Sequence, residues 1–372
     1  MVKERGCRNS GGFFHFVETI TDFCVTNIQK IIKHTSFIML KQLFAVTVFA
    51  LLLYACKPKS NENTAETKDK ITLLTDKIAF DSMNPKLYFD RANAYYQKSM
   101  FDKAYFDMVK VMSMDSLNTE YMMLYSDLSF RMNKVKAARD VLLKVRALNP
   151  ENYDAAFKLA EISLYTNNQD LSLKYLDTVL QKDAKNTKAL LMKGFNLKEK
   201  HDTAAAINTF RDAINIDPKF YEAQMQLGII MYAQNNKLCV DYFNNALNIK
   251  PNSEEAMYGL ALWYQDHSDY NKAIQLYTDI IQINPKNRDA YFNLGYIHHE
   301  YLKVYHEAIK HYTKAIEVDP NFAQAYYNRG MCYEYLGNVP AAKDDYSKAL
   351  ELRHNDYTPA KEGLERLLHP LK

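Results

Sequence analysis

Glycine and proline are scarce in this chain, with 10 of each in 372 residues. So few of either leave little room for long irregular loops. Charge of one sign is missing too: Lys+Arg 47 stands against Asp+Glu 44. That balance gives no basic field for a polyanion, so nucleic acid is not an expected partner. Strand-like alternation is absent, which excludes a sheet-built domain. No phosphate-cradling glycine loop, no G-x-S-x-G elbow and no paired-cysteine motif occurs. His298, His299, His306 and His311 crowd one segment, yet Lys310 takes the place four after His306, so H-E-x-x-H is not formed. Shared metal ligation from one helix face is therefore not expected. Cys239 and Cys332 lie far apart in a repeating chain and read as buried small side chains. These absences point away from an enzyme, a cofactor, a metal or a small-molecule substrate.

What is present is a period. Ala104, Ala138, Ser172, Ala206, Cys239, Ala273, Ala308 and Ala342 follow one another at steps of 34, 34, 34, 33, 34, 35 and 34 residues. A second comb precedes it in step: Ala92, Ser126, Ala160, Gly194, Gly228, Ala261, Gly295 and Gly330. Four residues after the first comb come Met108, Leu142, Leu176, Phe210, Phe243, Tyr277, Tyr312 and Tyr346. Three further on come Val111, Val145, Val179, Ala213, Ala246, Ile280, Ala315 and Ala349. Spacing of four and then three is one face of a helix. Five residues later Pro150, Pro218, Pro251, Pro285 and Pro320 end that helix in most units.

Each unit thus reads as helix A, turn, helix B, turn. The eight units are 85–118, 119–152, 153–186, 187–220, 221–253, 254–287, 288–322 and 323–356. One residue is lost between Gly228 and Cys239, and one is gained between Gly295 and Ala308. Both changes are expected at or near the A–B turn, where length varies without shifting a packed face. Repeats of this length stack into an α-solenoid, an all-α chain whose stability sums repeat and neighbour terms. Residues 71–84 read as an N-terminal capping helix and 357–372 as a C-terminal one. In the latter, Thr358 is placed to N-cap, Pro359 to open the helix, and Ala360, Leu364, Leu367 and Leu368 to form its apolar stripe.

The pattern resembles the tetratricopeptide repeat. The clearest copies are AQAYYNRGMCYEYLGNVPAAKDDYSKALEL (323–352) and RDAYFNLGYIHHEYLKVYHEAIKHYTKAIEVDP (288–320). Met122 and Ala156 replace the first aromatic residue in two weaker units. The resemblance covers 85–356 and implies a right-handed superhelix with a concave groove for a peptide or protein segment. It places positions 2, 5, 9, 12 and 13 of helix A on the groove. There stand Phe89, Asn93, Tyr96, Asp127, Phe130, Phe157, Glu161, Tyr165, Tyr232, Tyr258, Phe292, Tyr296, Tyr327 and Tyr335. Arg131, Lys198, Glu199, Asp266, Glu300 and Glu334 are interleaved with them. Aromatic rings with polar tips suit recognition, and the same rings can wedge against the next repeat. Asn293 and Asn328 share position 6, where a run of asparagines would resemble the backbone-binding ladder of glycosyltransferase-linked repeats; only these two units have one.

The first 70 residues differ. Leu43–Ala55 is an uncharged apolar run, too short to span a bilayer and of signal-peptide length. Lys41 precedes it, Leu53-Tyr54-Ala55-Cys56 follows, and Met39 would open a compact leader. The Cys56 context resembles a bacterial lipobox, with Tyr54 an unusual occupant. The resemblance implies acylation of Cys56 and lodging in the bacterial cell envelope. Residues 57–70 contain no large apolar side chain and read as a solvated tether. Removing residues 1–55 takes six basic and three acidic side chains from the totals of 47 and 44, leaving a neutral body. The expected protein is a membrane-anchored, non-catalytic scaffold that holds a partner segment. A glycan-binding envelope lipoprotein, or a regulatory adaptor of an envelope enzyme, is the alternative.

Overall fold

A computed structural model describes residues 69–354 and 356–368. The leader, the Cys56 anchor and the tether up to residue 68 lie outside the described residues. Among the described residues there are eighteen α-helices, one π-helical turn and no strand. The chain divides between Asn167 and Asn168 into two compact bodies.

The first body holds α1 (Lys70–Phe80), α2 (Pro85–Gln97), α3 (Phe101–Met114), α4 (Thr119–Arg131), α5 (Val135–Leu148) and α6 (Tyr153–Tyr165). The second begins with α7 (Gln169–Lys182), α8 (Thr187–Glu199), α9 (Thr203–Ile216), α10 (Tyr221–Ala233) and α11 (Leu238–Ile249). It continues with α12 (Glu254–Asp266), α13 (Tyr270–Ile283), α14 (Arg288–Tyr296), the π turn Ile297–Tyr301 and α15 (Tyr305–Val318). It ends with α16 (Ala323–Tyr335), α17 (Val339–Leu352) and α18 (Thr358–Leu368). Within each body every helix packs on the next in sequence. None of the described helices is long and apolar enough to cross a membrane.

Local chemistry sets these boundaries. Asn84, Asn118, Asn152, Asn186, Ser253 and Asn287 each accept a hydrogen bond from a backbone N–H in the first turn of a helix A. At the other end, one residue per A–B turn takes positive φ: Ser99, Asn133, Asn167, His201, Asn235, Ser268, Lys303 and Gly337. The following N–H then reaches back across the last turn, as from Met100 to Tyr95 O (2.9 Å) and from Lys134 to Ser129 O (2.8 Å). That is the Schellman closure, which satisfies carbonyls left over at a helix end.

The two departures from 34 residues are absorbed by winding. In 221–253 the left-handed residue Asn235 keeps its place, and helix B starts tight: Cys239 N–H bonds Asn236 O and Val240 N–H bonds Lys237 O, both at 3.0 Å. These i→i+3 bonds take up the missing residue. In 288–322 the extra residue lies directly before the turn, near where the sequence placed it. It widens the end of helix A into the π turn Ile297–Tyr301, with Leu302 N–H bonding Ile297 O at 3.1 Å.

The combs meet in the core. Met108, Leu142, Phe210, Phe243, Tyr277, Tyr312 and Tyr346 are all buried. A methyl added to Gly194 would stand 2.4 Å from the Phe210 ring, and one on Gly330 would stand 2.9 Å from the Tyr346 ring. Glycine there makes room for an aromatic ring, where Ala92 suffices beside Met108. Full burial of one such ring contributes roughly 2–3 kcal/mol. The Tyr277 hydroxyl donates to Gln265 Oε1 (3.3 Å) and that of Tyr346 to Glu334, so these phenols are not left unpaired.

Candidate binding face on the A helices

Position 12 or 13 of one helix A reaches a polar group on the next. In the first body the Tyr96 hydroxyl donates to Asp127 Oδ2 at 2.8 Å. Arg131 Nε donates to the same oxygen at 2.8 Å, and Lys158 Nζ donates to Oδ1 at 2.7 Å. Three repeats are tied through one carboxylate. Burial pushes the Asp127 carboxyl up, but Lys158, Arg131 and Tyr96 together outweigh it and hold it below the ordinary carboxylate range. Burial likewise raises the Tyr96 phenol, to about 12, with Asp127 adding to it. The Arg131 guanidinium also lies 5.2 Å from the Tyr96 ring centroid.

The other first-body candidates divide by depth. Phe89 is buried, its ring 4.7 Å from that of Tyr121. Asn93, Phe157 and Glu161 are half-buried. Phe130 meets Tyr165 edge to face at 5.2 Å, and Tyr165 is exposed.

In the second body Lys198 Nζ donates to Gln226 Oε1 (3.1 Å), the Tyr232 hydroxyl to Asp266 Oδ2 (2.5 Å) and Asn293 Nδ2 to Tyr258 Oη (2.8 Å). Tyr232 and Asn293 are buried. The Asn293 amide is thus turned on a neighbouring repeat, and Asn328 is half-buried. Phe292 packs against Phe322 at 5.0 Å and Tyr327 against Tyr357 at 5.6 Å. Tyr296 is half-buried, and Tyr335 is exposed with its ring stacked on Tyr305 at 4.9 Å. Arg366 of the capping helix closes the row with bonds to both oxygens of Glu334, at 3.1 and 3.0 Å.

The face is therefore a set of inter-repeat rungs with aromatic rings between them. Lys158 and Gln226 belong to it and occupy position 6, the position of Asn293 and Asn328, which the sequence reading weighed for its asparagines alone. No group of three or more His, Cys, Asp or Glu among the described residues is arranged to hold a metal. Cys239 and Cys332 are buried thiols pushed up to about 12 by burial, so neither is poised as a nucleophile.

Tetratricopeptide repeat models match residues 127–187, 187–220, 255–287, 303–337 and 323–356. The chain is a tetratricopeptide repeat protein.

Curated relatives match in part. A 162-residue stretch, 41% of this chain, is 28% identical to 17% of a probable UDP-N-acetylglucosamine–peptide N-acetylglucosaminyltransferase SPINDLY from Hordeum vulgare. A 126-residue stretch, 34% of the chain, is 24% identical to 13% of an N-terminal acetyltransferase A complex subunit-like protein from Schizosaccharomyces pombe. The chain spans less than a fifth of either relative's length. A tetratricopeptide repeat protein from Parabacteroides merdae is similar at 18% identity and a TM-score of 0.49, over 68% of this chain and 99% of that one. YrrB, described as a TPR protein with an unusual peptide-binding site, is similar at 20% identity and a TM-score of 0.41, over 50% and 95%.

Proposed function

We propose that this tetratricopeptide repeat protein is a non-catalytic scaffold that binds a segment of a partner protein along its helix-A faces. The observation that carries the reading is that each body sets half-buried aromatic side chains between inter-repeat rungs on its helix-A faces, with Tyr165 exposed in the first body and Tyr335 exposed in the second. Rings already fixed by neighbours lose little entropy when a partner covers them. Anchoring through acylated Cys56 at an envelope membrane is part of the proposal and rests on the sequence context Leu53-Tyr54-Ala55-Cys56. More than one acyl chain is needed for stable attachment.

Two experiments test it. Cys56→Ala should move the protein from the membrane to the soluble fraction; unchanged membrane association refutes the anchor. Tyr258, Phe292 and Tyr327 also pack on adjoining repeats, so Tyr165→Ala and Tyr335→Ala are the cleaner surface changes. Together they should reduce crosslinking to the native partner in envelope preparations with helicity unchanged. Full-strength crosslinking would refute these faces as the binding surface.

A further inference from the structure

The outer faces of the B helices differ between the two bodies. Positions two and five residues after the buried small comb fall on the side of helix B opposite the core. In the second body they hold Lys174, Asn208, Asp241, Gln275, Lys310 and Asp344, then Asp177, Arg211, Asn244, Thr278, Thr313 and Ser347, all of them polar. In the first body the same positions hold Phe106 and Val109 on α3 and Asp140 and Leu143 on α5. Phe106 is 72% exposed in mid-helix, and Val109 and Leu143 are each 43% exposed. Single exposed apolar side chains are ordinary, but equivalent positions of successive repeats line up, so these three share one surface.

Charge divides in the same way. Lys103, Lys110, Lys136, Arg139 and Lys144 are exposed on α3 and α5, against exposed Asp102 and Asp140. Asp107 is buried, with both carboxylate oxygens 2.7 Å from Arg91 nitrogens, and adds nothing outward. In the second body α9 sets Arg211 against Asp212, and α11 carries Asp241 and no cation. Apolar side chains among long basic ones suit the boundary between lipid headgroups and acyl chains, where the stems lie in the apolar layer and the charges reach phosphate. The length of the chain ahead of α1 favours the same occupant. Residues 57–69 join Cys56 to α1, which packs on α2 in the same body. A solvated tether of that length spans roughly 20 Å, about two helix diameters. An acylated Cys56 therefore keeps this body beside its membrane, and positive charge draws the basic face onto anionic lipid.

We infer, resting on the Cys56 anchor proposed above, that the outer face of α3 and α5 lies on the anionic lipid surface in which the acyl chains are set. Phe106, Val109 and Leu143 enter the headgroup layer, and the surrounding lysines and Arg139 pair with lipid phosphates. The helix-A layer of this body, with exposed Tyr165, then turns away from the membrane and stays open to a partner segment.

The test uses the full acylated chain in vesicles of equal parts phosphatidylcholine and phosphatidylglycerol, with and without bromine on the acyl chains. Phe106→Trp and Tyr165→Trp place a fluorophore on either layer of the first body, and buried Trp263 is common to both. Bromine quenches only a ring that reaches the acyl chains. It lowers the emission added by F106W by about twofold or more and leaves that added by Y165W unaltered. Lys110→Glu with Lys144→Glu, combined with F106W, returns at least about half of that loss, and so does phosphatidylcholine alone. Flotation with the vesicles reads the anchor separately. Equal quenching of the two probes, none at F106W in a chain that floats, or quenching that ignores the lysine changes overturns the inference and leaves the anchor standing. A chain that does not float removes the anchor and this orientation with it. A photocrosslinking residue at position 106 that captures a protein instead of lipid in native envelope overturns the inference as well.

Discussion

Asp127 and Asp266 stand at positions 9 and 13 of helix A, one turn apart on the same face, and each accepts a hydrogen bond from a tyrosine of the preceding repeat. Their surroundings differ. Asp127 has a tyrosine, an arginine and a lysine on its two oxygens and is half-buried. Asp266 has the Tyr232 hydroxyl and is exposed. The first body closes its carboxylate into a structural knot, and the second leaves one facing solvent beside tyrosine rings. The cores differ in parallel. The first body sets Ala92 with Met108, and the second sets Gly194, Gly228, Gly295 and Gly330 against Phe210, Phe243, Tyr312 and Tyr346, with Ala261 beside Tyr277 as the exception. One hairpin geometry is thus filled by two divisions of the same volume.

The core contrast should break most visibly. Gly194→Ala drives a methyl into Phe210 and should destabilise the second body by about 2–3 kcal/mol in urea unfolding. Adding Phe210→Leu should recover most of the loss; no recovery would mean that the helices, not the ring, set the spacing. In the first body Met108→Phe should destabilise by a similar amount and be rescued by Ala92→Gly.

The electrostatic contrast is smaller. Asp127→Asn leaves Lys158 and Arg131 short of a counter-charge and should cost about 1–2 kcal/mol. Asp266→Asn should change stability by under about 0.5 kcal/mol. Equal losses would dissolve the distinction between knot and open carboxylate.

Acid sharpens the same comparison. The Asp127 carboxyl is depressed in the folded state, so it contributes stability above its unfolded value near 3.8 that is lost as pH falls through the lower folded value. His311 is lowered from 6.5 to about 4, first by burial and then by His298, so its contribution is present above pH 6.5 and lost on descent toward pH 4. Hydrogen exchange should show the second body loosening first between those values, and His311→Gln should remove that step.

The smallest effect is expected at the turns. His201→Gly relieves a left-handed residue (φ 62°) and should stabilise by up to about 1 kcal/mol, while Gly337→Ala should destabilise by a similar amount. A melt that moves the other way would show that the His201 side chain supports its turn.

Periodicity made the buried combs legible, because small and large side chains recur wherever two helices must touch. Ala104, Ala138, Ala206 and Cys239 are fully buried, as that spacing requires. The left-handed turn residues were hidden, since Ser, Asn, His, Lys and Gly share a backbone conformation and no side-chain chemistry. The π turn was hidden for a related reason: a one-residue insertion says where length changes, not whether a loop or a helix absorbs it. On the A helices the spacing named the face but not the depth. Phe89, Tyr232 and Asn293 sit on that face and are buried, because the adjoining repeat decides what stays open.

The one-residue changes near Asn235 and Lys303 carry a practical consequence. A single turn wound tighter or looser next to a fixed left-handed residue leaves the packed combs on either side in register. Those two points are natural splice sites, where a labelled or reactive residue can be introduced without re-threading the stack.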